Sequence, residues 1–294
     1  MKTYLSIDIG GTKISAAMIN DGVISDIVKI QSPNTSGDHR IIEQALRDLI
    51  YPYKGMVDAC SVATAGIVSD GRVRAMSPSR LWGHTEFNLK GLIEGLLDKP
   101  AYIINDAQAA AYCEYVTSQN SGDMGYITVS TGVGGGLVIN GKLLTGSTGL
   151  AGHIGHVSSN IIADDEPCNC GRYGCVESIA SGTAIAASAA KILGETFTAK
   201  DIFKQYYSGD EIAAQIINRS ALAIANVIAD MKATLDLNRM VIGGSVGLAD
   251  GYIDLVVKHI NSMPSNFMIQ VERAACAESS ELLGAYYWAN NHMS

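Results

Sequence analysis

Apolar residues follow two rhythms along this chain. Short apolar runs bounded by turn residues open it: Tyr4–Asp8 (YLSID) leads through Gly10 and Gly11 into Lys13–Ile19 (KISAAMI), an Asn20-Asp21-Gly22 turn and another apolar run from Val23. Such runs joined by Asn, Asp and Gly predict a strand–turn–strand–turn–strand meander. The pattern returns 122 residues later: Tyr126–Ser130 (YITVS) leads through Gly132, Gly134, Gly135 and Gly136 into Leu137–Ile139, an Asn140-Gly141 turn and Lys142–Leu144. Tyr4 falls on Tyr126, Asp8 on Ser130 and Gly10 on Gly132, which predicts a duplicated three-stranded opening. Each meander gives way to a mixture of helix and strand. Ile41, Ile42, Ala45, Leu46, Leu49 and Ile50 make a stripe at helical spacing, and Ala101–Ile104 reads as a short buried strand. After Glu177 the helical rhythm dominates, through Ala184–Leu193, Asp201–Tyr207 and an amphipathic stretch from Asp210 to about Leu235. Met240–Ile242 is expected as a strand ending in Gly243-Gly244, and helices are expected near Ala249–Ile260 and Glu281–Asn290. No linker or low-complexity segment intervenes. The expectation is an α/β protein whose two halves face each other across a cleft.

Composition narrows the class. With 294 residues, 47% hydrophobic and 17% charged, the chain is long enough for two domains with substantial cores. A net charge of −8 argues against a general nucleic-acid or anionic-membrane surface, which needs clustered Lys and Arg. Six cysteines, three of them clustered, do not make a secreted disulfide framework, and Cys60, Cys113 and Cys276 are expected reduced in apolar surroundings. The start MKTYLSIDIGG is broken by Asp8 and does not read as a secretory signal. No run of roughly 18 residues is both uncharged and apolar throughout, as a bilayer span requires. A cytoplasmic protein without membrane or nucleic-acid partners is expected.

Three groups of residues carry candidate chemistry. His156 is followed by CNCGRYGCVE from Cys168 to Glu177, so one imidazole and the thiols of Cys168, Cys170 and Cys175 offer the ligand set of a closed tetrahedral zinc site. The spacing departs from common zinc patterns, because one residue separates Cys168 from Cys170 and the histidine precedes the thiols. A metal gathering those thiols fixes His156 and Glu177, which flank them in sequence.

Glycine-rich turns form the second group. In Asp8-Ile9-Gly10-Gly11-Thr12-Lys13 the glycines let a phosphate reach backbone N–H groups and Thr12 adds a hydroxyl, although a tight hairpin alone accounts for the same residues. The segment re-enters a strand and lacks the GxxxxGK[ST] pattern, so it is not a Walker loop. Ser130-Thr131-Gly132-Val133-Gly134-Gly135-Gly136 is its counterpart in the second half, and Gly243-Gly244-Ser245 can admit a nucleoside. Three such turns at strand ends favour nucleotide binding. The third group is Asn105-Asp106, at the end of the Ala101–Ile104 strand and the start of an expected helix Ala107–Tyr115. Asp106 is either a helix cap or a base for a substrate hydroxyl, with Asn105 holding a neighbouring hydroxyl.

DIGGTK at Asp8–Lys13, NDAQAAA at Asn105–Ala111, STGVGGG at Ser130–Gly136, GHIGH at Gly152–His156, CNCGRYGCVE and GGS at Gly243–Ser245 together resemble the ROK family of bacterial sugar kinases and sugar-responsive repressors, in order and spacing over nearly the whole chain. The resemblance implies an actin-like fold of two ribonuclease-H-like domains: residues 1–118, rejoined by a C-terminal helix 281–294, and residues 119–280 with the zinc loop. It implies ATP, magnesium and structural zinc as cofactors and a homodimer. It places Asp8, Gly10, Gly11, Thr12 and Lys13 in the first phosphate loop, with Asp8 positioning magnesium; Thr131 and Gly132 in the second; and Gly243 and Gly244 at the adenosine. Asn105, Asp106, His156 and Glu177 contact the sugar in this scheme, Asp106 being the catalytic base, with Gly66 as a further sugar-loop candidate.

The chain carries His153 where many ROK members have the Glu of an ExGH motif. That departure, with ITVSTGVGGG, KLLTG, GLAGHIGH and GGSVGLA, resembles the members that phosphorylate N-acetylmannosamine on its 6-hydroxyl in sialic-acid breakdown. His153 is expected either to touch the sugar or to orient His156. A glucokinase or another N-acetylhexosamine kinase is the alternative. A family repressor is expected to carry a DNA-binding domain ahead of Asp8, and a non-catalytic actin-like assembly protein has no need of Asn105-Asp106 beside a zinc-held His156 and Glu177.

Overall fold

The computed structural model describes residues 2–35, 38–76, 81–82, 85–118, 122–161, 167–276 and 279–293. The opening runs form β1 (Thr3–Ile9), β2 (Lys13–Asn20) and β3 (Val23–Gln31), paired antiparallel in succession. β1 also pairs in parallel with β4 (Ala59–Thr64), and β4 with β7 (Ala101–Asn105), giving the order β3-β2-β1-β4-β7. Between them lie α1 (His39–Ile50), the hairpin β5 (Ile67–Ser69) and β6 (Arg72–Arg74), and α2 (Leu89–Leu97); α3 (Asp106–Thr117) follows β7 without a break. The stripe read for α1 is narrower than expected. Ile42, Leu46, Leu49 and Ile50 are buried, whereas Ile41 is 43% exposed because it lies at the edge of the helix face.

Alternation along β1 sorts its side chains between two layers. Leu5, Ile7 and Ile9 join the core formed with α1 and α2. Tyr4 and Ser6 face the opposite way, toward α9 (Ser280–His292): Tyr4 meets Tyr286 edge-on at 5.1 Å, and the Ser6 hydroxyl donates to the Leu282 carbonyl at 2.7 Å. The same period turns Asp8 toward α9. Helix α3 packs there too, buried continuously from Ala107 to Glu114, as expected for a helix without a polar face. Its small residues let α9 approach closely, and any side chain at Gly284 would collide with the Ala109 carbonyl.

The second half repeats this topology. β8 (Met124–Val129) pairs antiparallel with β9 (Val133–Ile139) and parallel with β11 (Arg239–Gly243), which pairs in parallel with β12 (Gln270–Arg273); with β10 (Lys142–Leu143) at the edge the order is β10-β9-β8-β11-β12. β11 and β12 thus occupy the places of β4 and β7. The helices α4 (Glu177–Ala180), α5 (Gly182–Leu193), α6 (Ala199–Tyr207), α7 (Glu211–Leu235) and α8 (Tyr252–Asn261) accompany this sheet. α7 is long and apolar enough by composition to cross a membrane, but its central residues, including Ile217, Ile224 and Ile228, lie in the core with Ile127, Val129 and Ile242. α8 starts later than the apolar pattern suggested, because Gly251 at φ 76° breaks the chain direction just before it.

The chain divides into two compact units: Met1–Asn120 with Leu143–Ala151 and Cys276–Ser294, and Ser121–Lys142 with Gly152–Ala275. Each has its own sheet and core.

Candidate active site

In the first unit, three parallel strands end at one level. Ile9 pairs with Thr64 and Thr64 with Asn105, so Asp8-Ile9-Gly10, Thr64-Ala65-Gly66 and Asn105-Asp106 lie side by side at the carboxyl edge of the sheet, where ligands of α/β proteins bind. The β1–β2 turn is closed by the Gly10 N–H donating to the Lys13 carbonyl at 3.0 Å. Gly11, Thr12 and Lys13 are exposed, and the space around Gly11 is open, which leaves this backbone accessible to a ligand.

The cap of α3 is Asn105. Its Oδ1 accepts from the Gln108 N–H at 3.1 Å, while its Nδ2 donates to the Gly66 carbonyl at 3.0 Å and to Asp106 Oδ1 at 2.9 Å. Asp106 Oδ1 also accepts from the Ala107 N–H at 2.8 Å. The alternative left open by the sequence, that Asp106 is the conventional cap, is therefore replaced: the buried Asn105 caps the helix and orients the Asp106 carboxylate. Gly66 is held at φ 108°, where a Cβ would lie 2.7 Å from the Arg74 carbonyl, and the Trp82 indole N–H donates to the adjoining Ala65 carbonyl at 2.9 Å.

Asp8 is unusual electrostatically. Protein surrounds it on most sides, and burial, reinforced by Glu281 and Asp106 and opposed by Lys13, pushes its carboxyl up to about 8. Glu281, in the first turn of α9, is raised as well, chiefly by burial and also by Asp106. Sequence reading missed Glu281 because nothing local distinguishes it from an ordinary acid in a helix first turn; only the return of α9 to β1 brings it to Asp8.

The second unit has its own cluster of loops. The ends of the neighbouring strands β8 and β11 converge: the Ser130 and Ser245 hydroxyls are 3.0 Å apart, and the Val246 and Gly247 N–H groups donate to the Val129 carbonyl at 2.9 and 3.0 Å. Gly243 has no room for a Cβ against the Tyr126 hydroxyl, and Gly244 sits at φ 85°. The loop before β9 is tied to the following helices, since the Thr183 hydroxyl donates to the Thr131 carbonyl at 2.8 Å and the Gly182 N–H to the Ser130 carbonyl at 2.7 Å. Glu177 Oε2 accepts from the Val133 N–H at 3.0 Å, and a Cβ on Gly132 would lie 2.6 Å from that oxygen. Glycine at position 132 thus lets Glu177 seat against the loop.

His153 and His156 bound the short 3-10 turn Ile154–His156, whose closing His156 N–H donates to the His153 carbonyl at 3.0 Å. Burial lowers the His156 imidazole below its ordinary value, with Glu177 opposing that shift. The donor atoms of His156, Cys168, Cys170 and Cys175 all lie within 4.8 Å of one another. His156 Nδ1 is 3.5 Å from Cys168 Sγ, and the sulfurs of Cys170 and Cys175 are 3.7 Å apart. Tetrahedral zinc places two thiolate ligands about 3.8 Å apart and a thiolate and imidazole about 3.6 Å apart. The four side chains therefore fit such an ion.

The family model described as "ROK family" matches residues 4–292. The chain belongs to the ROK family. Among its relatives, a Haemophilus influenzae protein named N-acetylmannosamine kinase is 44% identical over 292 residues, covering 98% of this chain and 95% of the relative. A Yersinia pseudotuberculosis protein of the same name is 44% identical over 293 residues, covering 98% and 99%. Among solved structures, the ROK family glucokinase from Streptomyces griseus in complex with glucose and AMPPNP superposes with a TM-score of 0.79 at 28% identity, covering 98% of this chain and 99% of that one. The actin-like, two-domain α/β architecture is thus that of ROK sugar kinases, and the duplicated sheet order is its imprint in this chain.

Proposed function

We propose that this ROK protein is an ATP-dependent kinase that phosphorylates N-acetylmannosamine on its 6-hydroxyl. The observation that carries the reading is the 44% identity, over nearly full length, to proteins named N-acetylmannosamine kinase. The glucokinase complex with glucose and AMPPNP supports a sugar and ATP as the two substrates.

In this reading Asp106 accepts the proton of the attacking hydroxyl while Asn105, fixed by its bonds to Gln108 and Gly66, holds Asp106 in place and meets a neighbouring hydroxyl. The sugar is further contacted by Gly66, His153, His156 and Glu177. The turns at Gly10–Lys13 and Thr131-Gly132 offer N–H groups and hydroxyls to the phosphates, and Gly243-Gly244 admits the adenosine. Magnesium, when bound with ATP, neutralises charge building on the phosphates, and Asp8 is the residue that would position it. Zinc in the His156, Cys168, Cys170, Cys175 set would leave no open coordination position, so its contribution is to hold the loop carrying His156 and Glu177. A cytoplasmic homodimer belongs to the same reading, testable by the mass of the protein in solution.

The deciding experiment incubates the protein with ATP, magnesium and N-acetylmannosamine and locates the phosphate in the product by phosphorus–proton correlation. A 6-phosphate is expected. Absence of any phosphosugar, or phosphate at another hydroxyl, removes the proposal.

A further inference from the structure

Three of the cysteines lie outside the metal-ligand set. Cys60 is fully buried in β4, where burial pushes its thiol far above the ordinary range. The other two are a pair within the first unit. Cys113 is fully buried on α3, and Cys276, partly exposed, lies ahead of α9. The Cys276 N–H donates to Glu114 Oε1 at 2.8 Å. The Thr117 hydroxyl donates to the Cys113 carbonyl at 2.8 Å and lies 3.0 Å from Cys276 Sγ. Both the backbone and the sulfur of Cys276 are thereby fixed to the single turn of α3 that begins at Cys113.

The two thiols also sense each other directly. Their hydrogen bond is the largest cause raising the Cys113 thiol, with burial adding to it, and the largest cause lowering that of Cys276. A thiol that solvent reaches, backed by a second thiol that solvent does not reach, is the arrangement in which a disulfide forms by exchange.

We propose that Cys276 and Cys113 form a thiol–disulfide exchange site that accepts low-molecular-weight disulfides and closes to an intramolecular Cys113–Cys276 bond. The Cys276 thiolate attacks one sulfur of the small disulfide, breaking its S–S bond and releasing one small thiolate. Cys113 then loses its proton and attacks the Cys276 sulfur of the mixed disulfide, releasing the second. The two protein thiols are oxidised by two electrons, the small disulfide is reduced to two thiols, and the two protons lost by the protein end on those thiols. The bond joins α3, which begins at Asp106, to the segment entering α9, which carries Glu281 in its first turn. The modification therefore falls on the two helices that start beside Asp8.

The test treats the intact protein with oxidised glutathione and maps its cysteines by mass spectrometry without reduction. A Cys113–Cys276 cross-linked peptide is expected, reversed by dithiothreitol. Cys113→Ala is expected to stop at glutathione on Cys276, and Cys276→Ser to leave Cys113 unmodified. The unsubstituted protein decides the matter even if a variant fails to fold. Unmodified Cys276, glutathione accumulating on Cys276 without the cross-link, or cross-links confined to Cys168, Cys170 and Cys175 each overturn the proposal.

Discussion

One oxygen of Asp106 already serves the helix, accepting from the Ala107 N–H and the Asn105 amide at 2.8 and 2.9 Å. Asparagine at this position can still accept those bonds but cannot take a proton from a hydroxyl. Asp106→Asn is therefore expected to lose at least ~10²-fold in turnover while binding ATP and sugar nearly normally. Near-normal turnover, measured beside calorimetric affinities, would leave Asp106 as a structural acid only.

Asp8 couples the stability of the fold to pH. Its carboxyl, pushed up to about 8 by burial and by Glu281 and Asp106, titrates near 3.9, roughly, in an unfolded chain. Between those two values the unfolded state is ionised and the folded state is not, so the unfolded state holds fewer protons. Stability contributed by the protonated group is present below the unfolded value and is lost as pH rises through the folded one. The ligand-free protein should lose stability at this site as pH rises across that window, by a slope of order 1 kcal/mol per pH unit at most. Asp8→Asn should remove that slope from chemical denaturation curves. An unchanged pH dependence in the variant contradicts the assignment.

Elements explain how these residues are held and which of them the sequence could reveal. Short apolar runs bounded by Asn-Gly and Asp-Gly turns make β1, β2, β8 and β9 legible. β4 is not, because Ala59–Thr64 consists mostly of small residues and no Asn-Gly or Asp-Gly turn bounds it, although it is the strand that joins β1 to β7. The α2 helix was missed because Gly91 and Gly95 dilute its pattern within only nine residues, and β12 because its four residues are mostly polar.

The sequence marks Asn105 as a candidate substrate contact, whereas its place as cap of α3 and tether of Gly66 depends on tertiary neighbours. Asn105→Ala should cost about 1–2 kcal/mol of stability, readable as a lowered melting temperature. The metal loop was visible as a ligand set, while the seating of Glu177 against Val133 was not. Cys170→Ala should lower zinc content and loosen the loop that carries His156 and Glu177. Full zinc content in that variant, measured by plasma emission, contradicts the ligand assignment.

For the whole molecule, the 122-residue internal repeat announced two copies of one topology, and the sheet orders β3-β2-β1-β4-β7 and β10-β9-β8-β11-β12 are those copies. What the repeat does not carry is the difference between the halves: the first presents Asp8, Asn105 and Asp106 at its strand ends, the second the glycine loops, Glu177 and the histidines. Family membership follows from the chain as a whole, whereas substrate choice rests on few side chains. In the proposed reading His153 is the sharpest of these, because an imidazole in place of a carboxylate exchanges an acceptor for a donor. A pocket built for a polar 2-substituent leaves buried groups unpaired when glucose binds, which costs orders of magnitude in efficiency. The most direct test is kcat/KM for N-acetylmannosamine, N-acetylglucosamine and glucose, on this protein and on His153→Glu. N-acetylmannosamine should be preferred over glucose by at least ~10²-fold and the substitution should narrow that ratio; preference for glucose in the unsubstituted protein would contradict the account.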